Sequence, residues 1–162
     1  MKKKFLAAVM ALVMIGTTPV GVFADTMVKS YLTGLDVPES EGRVRPVAVM
    51  LNNIKQGCPQ SGIANAGVVY EAPVEGDITR LMGIFEDYKD LERIGSVRSC
   101  RDYYIFYANE FDAIYAHYGQ SAFALPYFEQ HLIDNLNGVK LGKICYFRST
   151  CLLYTSDAAD EL

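Results

Sequence analysis

Two β-rich runs, Gly67 to Val74 and Ile78 to Phe85, are separated only by Glu75-Gly76-Asp77. Gly-Asp at a two-residue turn suits a hairpin with positive φ at the glycine. On that reading Thr79 pairs with Val74, and Arg80 with Pro73. Side chains alternate along a strand, so Glu71, Pro73 and Glu75 share a face. Arg80 then lies diagonally between the two carboxylates. One guanidinium holds two carboxylates where water is largely excluded. In open solvent the same trio is a cross-strand ion network worth about 0–1 kcal/mol per pair. Pro73 has no N–H to donate, which places its strand at a sheet edge or a bulge.

Around this hairpin the chain punctuates itself. Pro46 to Leu51 is a short apolar run and reads as a buried strand; Asn52 to Gly62, with Gly57, Pro59 and Gly62, reads as a loop. Glu86 to Arg93 is a charged turn or short helix. Ile94 to Arg98 reads as a strand, and Ser99 as the N-cap of a helix running to about Asn109, with Asp102 in the capping-box position. Ala113 to His117 is another apolar strand, broken by Gly119. Pro126 suits the first turn of a second helix reaching about Leu136, and Val139 to Phe147 returns as a strand. A β-α-β-α-β unit implies right-handed crossovers and parallel pairing. With the antiparallel hairpin before it, the expected class is α/β (or α+β) with a mixed sheet.

The ends carry different information. Lys2-Lys3-Lys4, the apolar stretch from Phe5 to Gly16 and the small-x-small site Val22-Phe23-Ala24 make residues 1–24 a secretory signal expected to be cleaved after Ala24. Its apolar run is shorter than the roughly 20 residues that span a bilayer. No Cys stands near the cleavage point, so a lipobox is not expected. Residues 25–44 read as a polar leader crossing the surface. Cys151 to Glu161 reads as one translated frame of the transposon-end adapter used in sequencing libraries, so the natural frame is expected to end near Thr150. Between these ends lies enough chain for one domain with its own core. The net charge of −4 survives removal of both ends, because three lysines leave with one and three acids with the other. A mildly acidic chain argues against nonspecific nucleic-acid binding, which depends on neutralising phosphates. Cys58, Cys100 and Cys145 are odd in number and lack metal-ligand spacing, so no metal site is expected and no disulfide can be assigned.

Three constellations carry candidate chemistry. The first is the hairpin trio Glu71, Glu75 and Arg80. In the second, Arg98, Ser99, Cys100 and Arg101 gather at a helix start, where the dipole already disfavours cations. Their partner is either Glu71 or Glu75 across the sheet, or a bound carboxylate, phosphate or sulfate. Ser99 is read there as a cap before a nucleophile, and Cys100 as an inert inward side chain. In the third, His117 ends a strand beside Gly119 and Ser121, where open α/β sheets hold ligands. Read structurally, the same histidine is a hydrogen-bonding core residue. The stripe Tyr103, Tyr104, Phe106, Tyr107, Phe111 and Tyr115 reads as core, as helical spacing alone requires.

The phrases Arg45-Pro46-Val47-Ala48-Val49-Met50, Pro59-Gln60-Ser61-Gly62, Tyr70-Glu71, Val74-Glu75-Gly76, Ile78-Thr79-Arg80, Val97-Arg98-Ser99 and Phe111-Asp112-Ala113-Ile114-Tyr115 stand in one order and spacing. Together they resemble the N-terminal domain of the YerB-like family of bacterial envelope lipoproteins, over roughly residues 45–148. The resemblance implies an envelope location and a companion C-terminal domain, which is expected to lie beyond the point where the natural frame is cut. It supplies no reaction. Asp77, Ser96 and Cys100 depart from the family pattern, where a Gly, a Pro and a small residue are usual. Without a lipobox, the mature chain is expected to be secreted or wall-associated.

Two functions compete. The leading one is a noncatalytic envelope domain that binds an anionic or polyhydroxyl ligand, wall-derived, through Arg80, Arg98, Ser99, Arg101 and His117. The rival is a cell-wall hydrolase or transferase with His117 as base, Glu71 or Glu75 as acid and Ser99 or Cys100 as nucleophile. A third reading, a partner for another envelope protein, calls for an exposed apolar patch. No cofactor is expected.

Overall fold

The computed structural model describes residues 26–147. The secretory signal and the adapter-like segment both lie outside the described residues. A five-stranded mixed sheet organises the chain, in the order β4-β5-β3-β6-β7. Its strands are β3 (Val47–Asn52), β4 (Val68–Pro73), β5 (Thr79–Phe85), β6 (Ile114–His117) and β7 (Asn135–Asn137). The pairs β4–β5 and β5–β3 are antiparallel; β3–β6 and β6–β7 are parallel. The mixed α/β class read from the sequence is therefore the observed one. Residues expected as a plain leader form a second, two-stranded antiparallel sheet, β1 (Met27–Lys29) with β2 (Asp36–Pro38), and a one-turn helix, α1 (Glu39–Gly42). Buried Glu86, just past β5, fastens this unit by accepting from the Ser30 hydroxyl and the Tyr31 N–H.

Both faces of the sheet are covered. On one, Ala48, Met50, Met82, Ile84 and Tyr115 pack under the helix α2 (Asp102–Asn109), which contributes Tyr104, Ile105 and Ala108. On the other, Val49, Leu51, Phe85 and Ala116 lie beneath Ile63, Leu91, Ile94 and Val97 from the connecting loops. Strand alternation assigns successive residues to opposite layers, so β3 reads as a continuous apolar run because neither face meets water.

The structure departs from expectation in four further places. The hairpin register is shifted by one: Pro73 faces Thr79, Ala72 faces Arg80, and Val74 N–H bonds Ile78 O at 2.9 Å. Glu75-Gly76-Asp77 forms a three-residue turn in which both Gly76 (φ 75°) and Asp77 (φ 56°) are left-handed. Next, residues 94–98 run extended without forming a ladder strand, touching β3 through the Leu51–Val97 bridge. Third, α2 begins at Asp102 with Arg101 at the N-cap position and no side-chain cap, so Ser99 lies outside it.

The last departure is at the end of the fold. The second helix, α3 (Leu125–Glu129), stops early, and His131 turns the chain at φ 53°. Ile133 packs on the α2 side and Leu136 on the loop side. Leu136 lies in the short strand β7 and Ile133 at the bend before it, so the two serve opposite layers of a sheet covered on both sides. The strand thus falls at 135–137. The expected one at 139–147 is replaced by the one-turn helix α4 (Gly138–Leu141), capped by the Asn137 side chain, and a further 3-10 turn.

Candidate functional site

One end of the sheet gathers the residues that the sequence singled out. Because β3 and β6 are parallel and β5 runs against them, the carboxyl ends of β3 and β6 meet the amino end of β5; Asn52 faces Arg80. Here β3 and β6 diverge, and residues 95–101 run between them. Arg98 N–H bonds Met50 O, Tyr118 N–H bonds Arg98 O, and Cys100 N–H bonds Gly119 O, each at 3.0 Å. The crevice expected above two parallel strands is thus filled by backbone.

Two arginines hold that segment. The one-residue register shift turns Arg80 away from the face carrying Glu71, since a slip by one exchanges the two faces. Arg80 is buried on the α2 side and donates from Nη1 to Ser99 O at 2.5 Å. Arg101 donates from Nη1 to the next carbonyl, Cys100 O, at 3.0 Å. Its Nε and Nη2 fork onto the Glu75 carboxylate at 2.6–2.9 Å. The Arg101 side chain is 6% exposed and that of Glu75 is 69% exposed. These hydrogen bonds hold the Glu75 carboxyl below the usual carboxylate range, and the charge of Arg80 adds to the effect. Arg98 is half-buried in the same segment.

Glu71 is elsewhere. It accepts from Thr79 Oγ1 at 2.6 Å and from Asn53 Nδ2 at 3.0 Å, on the opposite face and exposed. The expected grip of Arg80 on both carboxylates therefore does not form, and the two glutamates serve different partners.

Ser99 donates its hydroxyl to Tyr118 O at 3.0 Å. A Cβ on Gly119 would lie 3.0 Å from Ser99 Oγ, and Gly119 has φ 83°, so glycine alone fits there. Cys100 is fully buried; burial pushes its thiol up to about 12, far from a reactive thiolate. The Tyr115 hydroxyl faces that thiol without a hydrogen bond of ordinary geometry, and burial holds it well above the usual phenol range. His117 is fully buried and stacks on Phe128, with ring centroids 4.8 Å apart. Its Nδ1 donates to Gly119 O at 2.7 Å, and its Nε2 lies 3.3 Å from Asn135 Oδ1. Burial lowers its pKa, so the ring is neutral.

Some contributors escaped the sequence reading. Asn135 and Asn137 meet His117 and Gln120 respectively. Their alternation about Leu136 is the strand signal that could have found them. The Tyr104 hydroxyl accepts from Ala72 N–H at 3.0 Å and donates to Arg80 O at 2.6 Å, tying α2 to both hairpin strands. Among the described residues no group of three or more His, Cys, Asp or Glu is placed to hold a metal ion. None of their helices is long and apolar enough to cross a membrane.

Comparison with known proteins adds kinship. The family model described as "Protein of unknown function (DUF3048) N-terminal domain" matches residues 32–156. That span includes 151–156, the start of the adapter-like segment. A relative from Bacillus subtilis (strain 168), described as "Putative lipoprotein YerB", is 39% identical over 121 residues, covering 75% of this chain and 36% of its own. The crystal structure of YerB protein from Bacillus subtilis superposes with a TM-score of 0.71 at 38% identity, covering 76% of this chain and 42% of the solved one. The chain spans less than half the length of either.

Proposed function

This chain belongs to the DUF3048 N-terminal domain family, and we propose that it is a noncatalytic domain of the bacterial cell envelope that binds an anionic or polyhydroxyl ligand derived from the wall. The observation that carries the reading is the fork between Arg101 and Glu75, whose cation is buried and whose anion stands open on a turn. A buried guanidinium with its N–H groups fixed is a rigid receptor for a planar carboxylate. The carboxylate on the turn is the exchangeable partner, since exposed turns move more readily than packed strands. A ligand carboxylate entering there takes over the hydrogen bonds of Glu75, beside the charge of Arg80 and in reach of the segment that carries Arg98 and Ser99. His117 acts from behind that segment, as a brace. The envelope location draws on the lipoprotein description of the relative and on the leader at residues 1–24.

The hydrolase or transferase reading has less support. A general base needs a ring nitrogen directed at substrate, and both nitrogens of His117 are engaged inside the fold. Ser99 gives its hydroxyl to a backbone carbonyl, and Cys100 is buried and protonated.

The test is calorimetry with wall-derived muropeptides carrying free carboxylates. Arg101→Lys keeps the charge but loses the fork, and about tenfold weaker binding is expected for it, one bidentate contact being worth roughly 1.4 kcal/mol or more. No measurable heat with the unaltered chain, or equal affinity for both, overturns the reading.

A further inference from the structure

Arg80 stands near the start of β5, and Glu86, just past its end, lines a separate cavity of about 270 Å³. Leu32, Leu35 and Val37 of the β1–β2 unit line the same cavity and make its walls largely alkyl. The turn that carries them is fixed by Ser30. Its N–H bonds Leu35 O at 2.9 Å, and its Oγ accepts from the N–H groups of Leu32 and Thr33 at 3.2 and 3.0 Å. The hydroxyl proton of Ser30 is then left for Glu86. Both carboxylate oxygens of Glu86 therefore act as acceptors, one from Ser30 and one from Tyr31 N–H. The residue is only 8% exposed.

A buried carboxylate calls for a cation, because neutral donors replace only part of its lost hydration. Among the described residues no Lys, Arg or His forms an ion pair with Glu86. The basic groups of this part of the fold are engaged elsewhere: Lys29 with Asp36 at 2.9 Å, Arg43 with the Tyr31 hydroxyl at 3.4 Å, and Lys89 with Ser40 O at 3.4 Å. Glu41 and Asp87 line the cavity too, so its charge is negative throughout. A metal ion does not suit it: the described residues hold no group of three or more His, Cys, Asp or Glu placed for one, and alkyl walls do not replace the oxygen shell of a bare ion. We infer that this cavity binds a primary ammonium group carried on a short aliphatic stem, with the ammonium on Glu86 and the stem along Leu32, Leu35 and Val37. Such a ligand buries its methylene groups while its charged head finds a partner. The volume falls below the roughly 300–1,000 Å³ of sites for drug-sized molecules, which suits a lysine-like side chain or a short diamine. The site is distinct from the Arg101–Glu75 fork and takes the opposite charge.

Amide chemical shifts in a nuclear magnetic resonance titration of the chain test this. The probes are cadaverine, acetyl-lysine amide and acetyl-norleucine amide, the last keeping an aliphatic stem without the ammonium. Both ammonium compounds are expected to saturate in the millimolar range, moving the amides of residues 30–35 and 86–87 and leaving those of 99–101 in place. The norleucine compound is expected to bind at least about tenfold more weakly, as loss of a charge-assisted contact requires. Tighter binding of cadaverine assigns the site to free diamines and tighter binding of the lysine compound to a peptide side chain; either supports the inference. Glu86→Gln is expected to abolish the preference for ammonium. Should that variant lose the β1–β2 unit, Leu35→Ser, at a wall residue 66% exposed, is expected to weaken both ammonium compounds about threefold through lost alkyl contact. No saturable shift from either ammonium compound, shifts confined to other residues, or equal binding of the norleucine compound overturns the inference.

Discussion

The ring of His117 and the backbone of Cys100 converge on one acceptor. The Gly119 carbonyl receives Nδ1–H of the histidine at 2.7 Å and N–H of the cysteine at 3.0 Å. A carbonyl only accepts, so the proton of the neutral imidazole sits on Nδ1; Nε2 is then an acceptor, and the Asn135 carboxamide 3.3 Å away pairs with it by presenting its NH2 to the ring. The histidine braces the residues after β6 against the segment wedged beside them.

From this follows a pH dependence. Burial depresses the folded pKa of His117 below its ordinary value of about 6.5. Between the folded and unfolded values the unfolded chain binds more protons, so stability rises with pH there and falls as pH drops below about 6.5. Urea midpoints from pH 8 to 5 are expected to show this decline, and His117→Gln to flatten it.

Cys100 is expected to resist alkylation. Its thiol is buried and raised to about 12, whereas Cys58 and Cys145 are exposed. Iodoacetamide at pH 8 followed by peptide mapping should label Cys58 and Cys145 in minutes and Cys100 only in denaturant. Rapid native labelling of Cys100 would contradict the packing.

Tyr104→Phe removes one oxygen that serves Ala72 N–H and Arg80 C=O together. One buried and one part-buried backbone group lose a partner, which costs about 1–3 kcal/mol. Chemical denaturation should show that loss with an unchanged m-value, and Tyr103→Phe, whose hydroxyl reaches only Pro73 O at an exposed site, should lose less.

Glu75→Ala is expected to destabilise by about 1 kcal/mol, the range for a partly exposed pair. Acetate or succinate added in the hundred-millimolar range, a concentration suited to weak carboxylate binding of about −1 to −2 kcal/mol, should recover part of it. Arg101→Ala should not respond. The folded pKa of Glu75 is lowered, so in the unaltered chain this contribution is complete above the ordinary glutamate range and disappears as pH falls through the depressed value. An unresponsive Glu75→Ala chain would make the fork purely structural.

Much of the sheet was legible because its signals are local. The runs at 46–51, 67–74, 78–85 and 113–117 became β3, β4, β5 and β6, each apolar or alternating and bounded by Gly or Pro. The parts misread depend on neighbours distant in sequence. Residues 94–98 had strand composition, but the gap they fill exists only where β3 and β6 diverge. The run after Pro126 reads as helix to about Leu136, yet it leaves the helix after Glu129 and enters β7, whose partner β6 is distant in sequence.

The sequence by itself determined the antiparallel hairpin, the mixed sheet, the family and the end of the sheet at which Arg80, Arg101 and His117 gather. Those follow from turn chemistry, side-chain periodicity and the order of short phrases, all carried by adjacent residues. Only the tertiary structure decided that Arg80 turns inward, that Glu75 and not Glu71 meets Arg101, and that His117 is sealed. The physical reason is the period of two in a strand. A one-residue change in the hairpin turn leaves every strand in place and yet moves each side chain to the other face, and nothing local to the turn reports which face is buried.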